Sequence, residues 1–171
     1  MFDILSLIIF ILPAYVANAA PVLLGGGIRL DLGKNFFDGK PIFGETKTIR
    51  GFLSAVLAGT VIAGVLSLYL PIPLFSTPAL MFRGGIALAL GAITGDAIGS
   101  FFKRRMGMES GRPFFPDAVI FLAFALLFVV PFVSAAAFSL ENMVFLFGIT
   151  ILLHPATNFL ANRIGLKKVP W

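Results

Sequence analysis

Residues 83–105 read RGGIALALGAITGDAIGSFFKRR, and this stretch decides how the chain folds. Its apolar part, residues 83–102, has the length of a helix that crosses a bilayer core, for which about 20 residues are needed. Three basic residues follow directly, as is common where a helix leaves the membrane. One carboxylate, Asp96, lies inside the apolar part, where an ionisable group is costly and a functional role is the first expectation. The stretch therefore predicts a transmembrane helix that carries a functional group.

The composition indicates a membrane protein. Of 171 residues, 58% are hydrophobic and 12% are charged, whereas soluble domains have about 25% charged residues. Such a chain lacks the polar groups to cover a surface that faces water. It also contains no cysteine and a single histidine, His154. This excludes a disulfide framework, a cysteine nucleophile and a zinc site built from several histidines.

Four further segments are long and apolar, so we predict an all-α, polytopic membrane protein with five transmembrane helices in a single domain, 1–171. The helices are predicted at about 4–24, 52–70, 83–102, 114–132 and 143–163, with polar loops at about 29–50 and 103–113. The first segment is preceded by no Lys or Arg. It is therefore interpreted as a mature helix rather than a cleaved signal peptide.

Basic residues are distributed unevenly between the two sets of loops. Twelve of the thirteen Lys and Arg residues lie on one side of the predicted helices, and only Arg83 lies on the other. The positive-inside rule places the basic side in the cytoplasm. We therefore expect the N-terminus outside, the C-terminus inside, and a site formed by the basic loops to face the cytoplasm from the cell membrane.

Small residues recur at fourfold spacing on the second and third helices. They are Ala55, Gly59, Ala63 and Ser67 on the second, and Ala87, Gly91, Gly95 and Gly99 on the third. Such stripes allow helix backbones to approach closely in lipid. Both helices are predicted to pack tightly, and each other is one candidate partner.

Two aspartates are candidate metal ligands. Asp96, Ser100 and Lys103 follow one another at fourfold and threefold spacing, so they share a helix face that leads to the basic side. Asp117 starts the next helix, where an aspartate is also an ordinary capping choice. Because consecutive antiparallel helices bring both acids to the basic side, they could share Mg²⁺, which prefers oxygen ligands and phosphate partners. The alternative for Asp96 is a structural pair with a lysine.

The basic side also carries candidate phosphate ligands. The first loop mixes glycines with acids, hydroxyls and bases, without the spacing of a P-loop; its candidate binding residues are Asp38, Lys40, Lys47, Thr48 and Arg50. Lys103 and Arg104 share the register of Asp96, so phosphate contact is favoured for them, whereas Arg105 suits membrane anchoring equally well. The alternative for the loop is an ordinary polar connection. Asn18 is a further candidate ligand, His154 is interpreted as structural, and the role of Asn158 stays open.

A family resemblance joins these features. Gly95-Asp96 followed by Ser100-Phe101-Phe102-Lys103-Arg104 resembles the signature region of the CTP-dependent phosphatidate cytidylyltransferases. Residues 47–51, KTIRG, resemble their K-T-x-E-G segment, with Arg50 in place of Glu. The short chain is similar along nearly its whole length to the compact archaeal branch, the CDP-archaeol synthases. One departure is that Asp117 is the only acid where the larger enzymes carry a D-R-x-D pattern.

The resemblance implies an enzyme that transfers CMP from CTP to the phosphate of 2,3-bis-O-geranylgeranylglycerol 1-phosphate, with Mg²⁺ as cofactor. The implied partners are CTP, the isoprenoid ether-lipid phosphate and membrane lipids, without nucleic acid. We assign catalytic roles to Asp96, Asp117 and Lys103, with both aspartates as metal ligands. Substrate binding is assigned to Asn18, Asp38, Lys40, Lys47, Thr48, Arg50, Ser100 and Arg104.

Two other functions fit part of the pattern. A small transporter or lipid-binding protein would also use intramembrane Asp and His, but no inverted repeat is visible. A CDP-alcohol phosphotransferase would need several further aspartates beyond the Asp38-Gly39 fragment. We therefore favour the cytidylyltransferase.

Overall fold

The computed structural model describes residues 2–109, 112 and 114–167. They form five α-helices: α1 Ile4–Leu24, α2 Ile49–Tyr69, α3 Pro78–Arg105, α4 Pro116–Val129 and α5 Leu140–Arg163. The prediction of an all-helical fold with five helices is confirmed. Four of them, α1, α2, α3 and α5, are long and apolar enough to cross a membrane, and the protein is a multi-pass membrane protein.

The fourth helix is shorter than the sequence analysis expects. A helix over 114–132 would approach spanning length, but α4 has 14 residues and continues only as a 3₁₀ turn over Val130–Phe132. At about 1.5 Å per residue, α4 is roughly 21 Å long, less than the ~30 Å of a bilayer core. Pro131 is the physical reason, because a proline lacks the N–H and its ring clashes with the preceding turn.

Three other helices, α2, α3 and α5, begin earlier than predicted because their caps lie further upstream, and the cap of α5 is Ser139. The side chain of Thr48 accepts a hydrogen bond from the backbone N–H of Gly51, so α2 begins at Ile49 rather than near residue 52. Thr77 caps α3 in the same way, and Pro78 occupies its first turn. Threonine caps and first-turn prolines are common helix starts, which an apolar-length criterion does not detect.

Close contacts at small residues place α3 between α2 and α4. A Cβ added to Gly95 would lie 2.8 Å from the carbonyl oxygen of Ile120 on α4. On its other side, the Cα of Ala63 on α2 would lie 3.3 Å from a Cβ at Gly85. Both predicted stripes are therefore packing surfaces, but the stripe at Gly91, Gly95 and Gly99 meets α4 rather than α2.

The two ends of the bundle differ in packing. The first, second and third helices, with α4, enclose an apolar core in which Leu7, Phe10, Leu88 and Leu122 are at most 1% exposed. We call the other end the basic end, where segment 25–48 joins α1 to α2 and where α3 and α5 finish. There the helices separate and enclose cavities.

Helix α5 packs loosely against the others. In its most apolar window 11% of the residues are buried, compared with 61% in α3. Two polar side chains anchor it away from the basic end. Asn142 accepts from the backbone N–H of Phe2, and the hydroxyl of Thr150 lies 2.7 Å from that of Tyr15.

Candidate active site

A polar cleft of about 400 Å³ opens at the basic end between α1, α3, α4 and α5. It brings together residues that lie far apart in the sequence. Seven predicted site residues line it: Asn18, Lys47, Asp96, Ser100, Lys103, Arg104 and Asp117.

Two carboxylate–lysine pairs occupy the wall formed by α3 and α4. The Nζ of Lys47 donates to Asp96 Oδ2 at 2.5 Å, and the Nζ of Lys103 donates to Asp117 Oδ2 at 2.6 Å. Each pair joins two different elements, because Lys47 precedes α2 and Lys103 belongs to α3. Asp96 therefore pairs with a lysine from another element, not with the lysine on its own helix face. All four side chains remain 13–25% exposed.

Gly99 makes room for one of these pairs. A Cβ at residue 99 would lie 2.8 Å from Asp117 Oδ1, closer than real Cβ atoms approach. The glycine therefore allows the carboxylate on α4 to lie directly against α3. The same contact keeps Asp117 beside Lys103, which lies one helical turn after Gly99 on α3.

Asp38 and Lys40 lie outside the cleft lining, where they fasten the first loop to the end of α3. Arg105 NH1 donates to Asp38 Oδ1 at 2.6 Å, and Lys40 Nζ donates to the carbonyl oxygen of Arg105 at 2.8 Å. The Arg105 guanidinium also stacks on the rings of Phe36 and Phe101, 5.0 and 4.9 Å from their centroids. These contacts support a structural role for this cluster.

Thr48 and Arg50 also lie outside the cleft lining. Besides capping α2, the hydroxyl of Thr48 accepts from the backbone N–H of Gly26 at 3.2 Å, so it joins the end of α1 to the start of α2. Arg50, in the first turn of α2, is exposed. Thr48 positions the neighbouring Lys47 and does not itself face the cleft.

Asp31 organises the first loop, although the sequence analysis did not single it out. Its side chain is fully buried and accepts from the backbone N–H groups of Gly33, Phe43 and Gly44 at 2.9–3.0 Å. Burial by itself would raise the pKa of Asp31, but these three donors, with Arg29, hold the pKa below its usual value. The available signal was Asp31-Leu32-Gly33, because an Asp side chain that accepts from the backbone N–H two residues further on is typical of turns.

The opposite wall of the cleft comes from α5 and the residues after it. Five residues of this wall face the two carboxylate–lysine pairs across the cleft: His154, Pro155, Asn158, Leu166 and Lys167. The ring of His154 also lies 6.0 Å from that of Phe121, which supports its packing role. In the sequence, Lys167 is only one of the twelve basic residues that indicate topology.

A second cavity adjoins the cleft. This apolar groove of about 360 Å³ lies between α1 and α5 and is lined mostly by aliphatic side chains. Asn18, Val22, His154, Asn158 and Leu166 line both cavities. The polar cleft and the apolar groove therefore meet along one boundary, which we call the junction.

The oxygen donors in the cleft fit Mg²⁺. The carboxylates of Asp96 and Asp117 and the hydroxyl of Ser100 are hard ligands, and no thiolate is available. Among residues 2–109, 112 and 114–167, no three acidic or imidazole side chains come together. Mg²⁺ commonly takes only one or two protein carboxylates and completes its shell with water and substrate phosphates. The two aspartates match that number of protein carboxylates.

Comparisons with known proteins agree along the whole chain. A family model described as CarS-like, CDP-archaeol synthase, matches residues 1–171. The CDP-archaeol synthase of Methanococcus aeolicus is 42% identical over 175 residues, covering 98% of this chain and 97% of the relative. That of Pyrococcus furiosus is 42% identical over 172 residues, covering 100% of both.

A solved structure agrees in fold. The solved protein is described as an intramembrane enzyme for archaeal membrane lipids biosynthesis. Its TM-score is 0.80 at 36% identity, and the match covers 91% of this chain and 94% of that one.

Proposed function

This chain belongs to the CDP-archaeol synthase family, and from that membership we propose that its polar cleft transfers CMP from CTP to the phosphate of 2,3-bis-O-geranylgeranylglycerol 1-phosphate. A phosphate oxygen of the lipid attacks the α-phosphorus of CTP. The bond between the α-phosphorus and the bridging oxygen breaks, and pyrophosphate leaves. The products are CDP-archaeol and pyrophosphate.

One observation carries the proposal: two carboxylate–lysine pairs line a polar cleft that adjoins an apolar groove. A nucleotide triphosphate requires cations, and a lipid acceptor requires a polar site next to an apolar one. The lysines of the polar cleft supply the cations, and the adjoining apolar groove supplies the apolar site. The family membership does not support a transporter without nucleotide chemistry.

In this proposal the lysines exchange partners when CTP binds. Lys47 and Lys103 move from their carboxylates to the triphosphate, and Arg104 adds a further positive charge. Asp96 and Asp117 would hold Mg²⁺, which neutralises phosphate charge and polarises the phosphorus that is attacked. Phosphoryl-type transfer depends mainly on such positioning and charge stabilisation. No covalent enzyme intermediate is needed.

The proposal includes an orientation. Because twelve of thirteen basic residues lie on one side, we infer that the basic end faces the cytoplasm, where CTP is available. The isoprenoid chains of the acceptor would lie in the apolar groove, and its phosphate would reach the cleft at the depth of the lipid headgroups.

The test is transfer of label from α-labelled CTP to lipid by the purified full-length protein in detergent. The unsaturated archaeal ether-lipid phosphate and a phosphatidate serve as parallel acceptors, each with Mg²⁺ and with a chelator. We expect labelled CDP-lipid from the ether lipid only when Mg²⁺ is present. Absence of product from both acceptors, in protein that remains folded, would overturn the activity. Full turnover in the presence of the chelator would overturn the assignment of Mg²⁺ as cofactor but not the transfer activity.

A further inference from the structure

The residues after α5 turn back toward the cleft. Gly165 adopts a left-handed conformation with φ of 77°, and the backbone N–H of Leu166 donates to the carbonyl oxygen of Ala161 at 2.8 Å. This is the hydrogen-bond pattern of a glycine-terminated helix end, where the chain reverses instead of continuing outward. The side-chain amide of Asn162 donates to the carbonyl oxygen of Lys167 and holds the reversed chain in place.

The reversal brings Lys167 to the junction of the two cavities. Its Nζ donates to Asn158 Oδ1 at 2.9 Å, and Asn158 lines both the polar cleft and the apolar groove. Lys167 itself lines the polar cleft only. The lysine therefore lies at the polar edge of the boundary, on the wall opposite Lys47 and Lys103.

The environment of Lys167 favours an added anion. Burial lowers the pKa of its ammonium, and the nearby charges of Lys47 and Lys103 lower the pKa further, while Asp96 and Asp117 oppose them. A phosphate beside Lys167 would offset both effects, because an opposite charge stabilises the protonated form.

We propose that Lys167, with Asn158 and Asn18, binds the phosphate of the lipid acceptor rather than the phosphates of CTP. This inference rests on the proposed function. The acceptor is the substrate that must cross from apolar to polar surroundings within the length of one molecule, so its phosphate belongs at the junction. CTP is polar throughout and is served by the lysines of the opposite wall.

The test separates the two substrates kinetically. Lys167→Ala is compared with wild type and with Lys34→Ala, a matched control in which an exposed lysine outside both cavities is removed. Acceptor is varied as its mole fraction in detergent micelles at saturating CTP, and CTP is then varied at saturating acceptor. We expect Lys167→Ala to raise the KM for the acceptor about tenfold or more, as loss of a charged hydrogen bond does. The KM for CTP should stay within about twofold.

Two further variants guard against a folding artefact. Lys167→Arg keeps the positive charge, so it should restore most of the acceptor affinity. Asn158→Asp places a negative charge beside the phosphate. It should raise the KM for the acceptor at least as much as Lys167→Ala does. Both should elute and melt like wild type.

The outcomes are distinguishable. An unchanged KM for the acceptor in Lys167→Ala, or an equal rise in both KM values, would overturn this inference while the proposed function stands. A wild-type protein that transfers CMP to neither acceptor would overturn the proposed function itself.

Discussion

The seam between α3 and α4 and the wall formed by α5 face each other across the cleft, yet they are built differently. At Gly91, Gly95 and Gly99, the two helices of the seam approach so closely that an added Cβ would meet α4. Helix α5 instead makes few buried contacts, and a Cβ at its Gly148 would meet nothing within 4 Å.

The contrast separates two tasks. The carboxylates that we propose as Mg²⁺ ligands would need a frame that holds them within fractions of an ångström, and backbone contact at glycines provides one. A wall beside a lipid-sized groove needs room to admit a large apolar molecule from the membrane. The rigid side therefore carries Asp96 and Asp117, and the looser side carries the junction.

The largest effect is expected from Asp96→Asn on the rigid side. The amide keeps the shape but lacks the charge that holds Lys47 and would hold Mg²⁺, so turnover should fall on the order of 10³-fold. Glu45→Gln, which removes an exposed acid of the first loop, is the matched control and should retain activity. Near-normal turnover of Asp96→Asn at saturating Mg²⁺ would remove Asp96 from the metal site.

Gly99→Ala tests the comparison directly against Gly148→Ala. The new methyl group at residue 99 must displace the Asp117 carboxylate, and a shift of about 1 Å can cost roughly 10² in rate. The methyl group at residue 148 has free space and should leave turnover unchanged. Turnover numbers are measured on protein that elutes normally. Equal activity of the two variants would show that close approach at Gly99 does not position Asp117.

Thr150→Val tests how the loose side is anchored. The change removes the hydroxyl that meets Tyr15 between α5 and α1, and the free energy of unfolding should fall by about 1 kcal/mol. Thr157→Val on the same helix is the control, because that hydroxyl bonds only to carbonyl oxygens of its own helix. Denaturant titrations in detergent measure both. A similar loss in the two variants would argue against an interhelical anchor.

Acidification probes whether the first loop belongs to the rigid side, and we expect the smallest effect here. Asp31 has a lowered pKa in the folded state, so its stabilisation is complete above the usual value of about 3.9 and is lost as pH falls below it. Intrinsic amide exchange slows as the pH falls, so the observed rates are first corrected for it. After that correction, the protection of residues 25–48 should decrease in acid. Asp31→Asn should exchange faster already at neutral pH and respond less to acid. Identical profiles would rule out Asp31 as the loop organiser.

Much of the fold could be read from the sequence because membrane helices are encoded locally. Apolar length located the five helices, and basic residues marked one end of the bundle. The shortened α4 depended on Pro131, a local signal that a length criterion passes over. The earlier starts of α2 and α3 depended on Thr48 and Thr77, which only cap geometry identifies.

The candidate site was predicted less evenly. Four residues could be predicted to lie together because they share one face of α3 or begin the antiparallel helix α4: Asp96, Ser100, Lys103 and Asp117. Asp38 and Lys40 were chosen by residue type, and type does not distinguish a phosphate ligand from a partner of Arg105. Lys167 was overlooked because Gly165 marks the end of α5 but does not tell which neighbouring helices the residues after it will face.

Local features of the chain were enough to predict that this protein crosses the membrane, that its basic residues gather at one end, and that acids accompany them there. These properties follow from segment length, helical period and alternation of direction, all of which are local. The packing of the helices, by contrast, was needed to show that Lys47 pairs with Asp96, that Lys103 pairs with Asp117, and that the polar cleft and the apolar groove meet at the junction. Those contacts depend on the separation and rotation of helices, which the glycine contacts between α3 and α4 and the folding of the first loop establish.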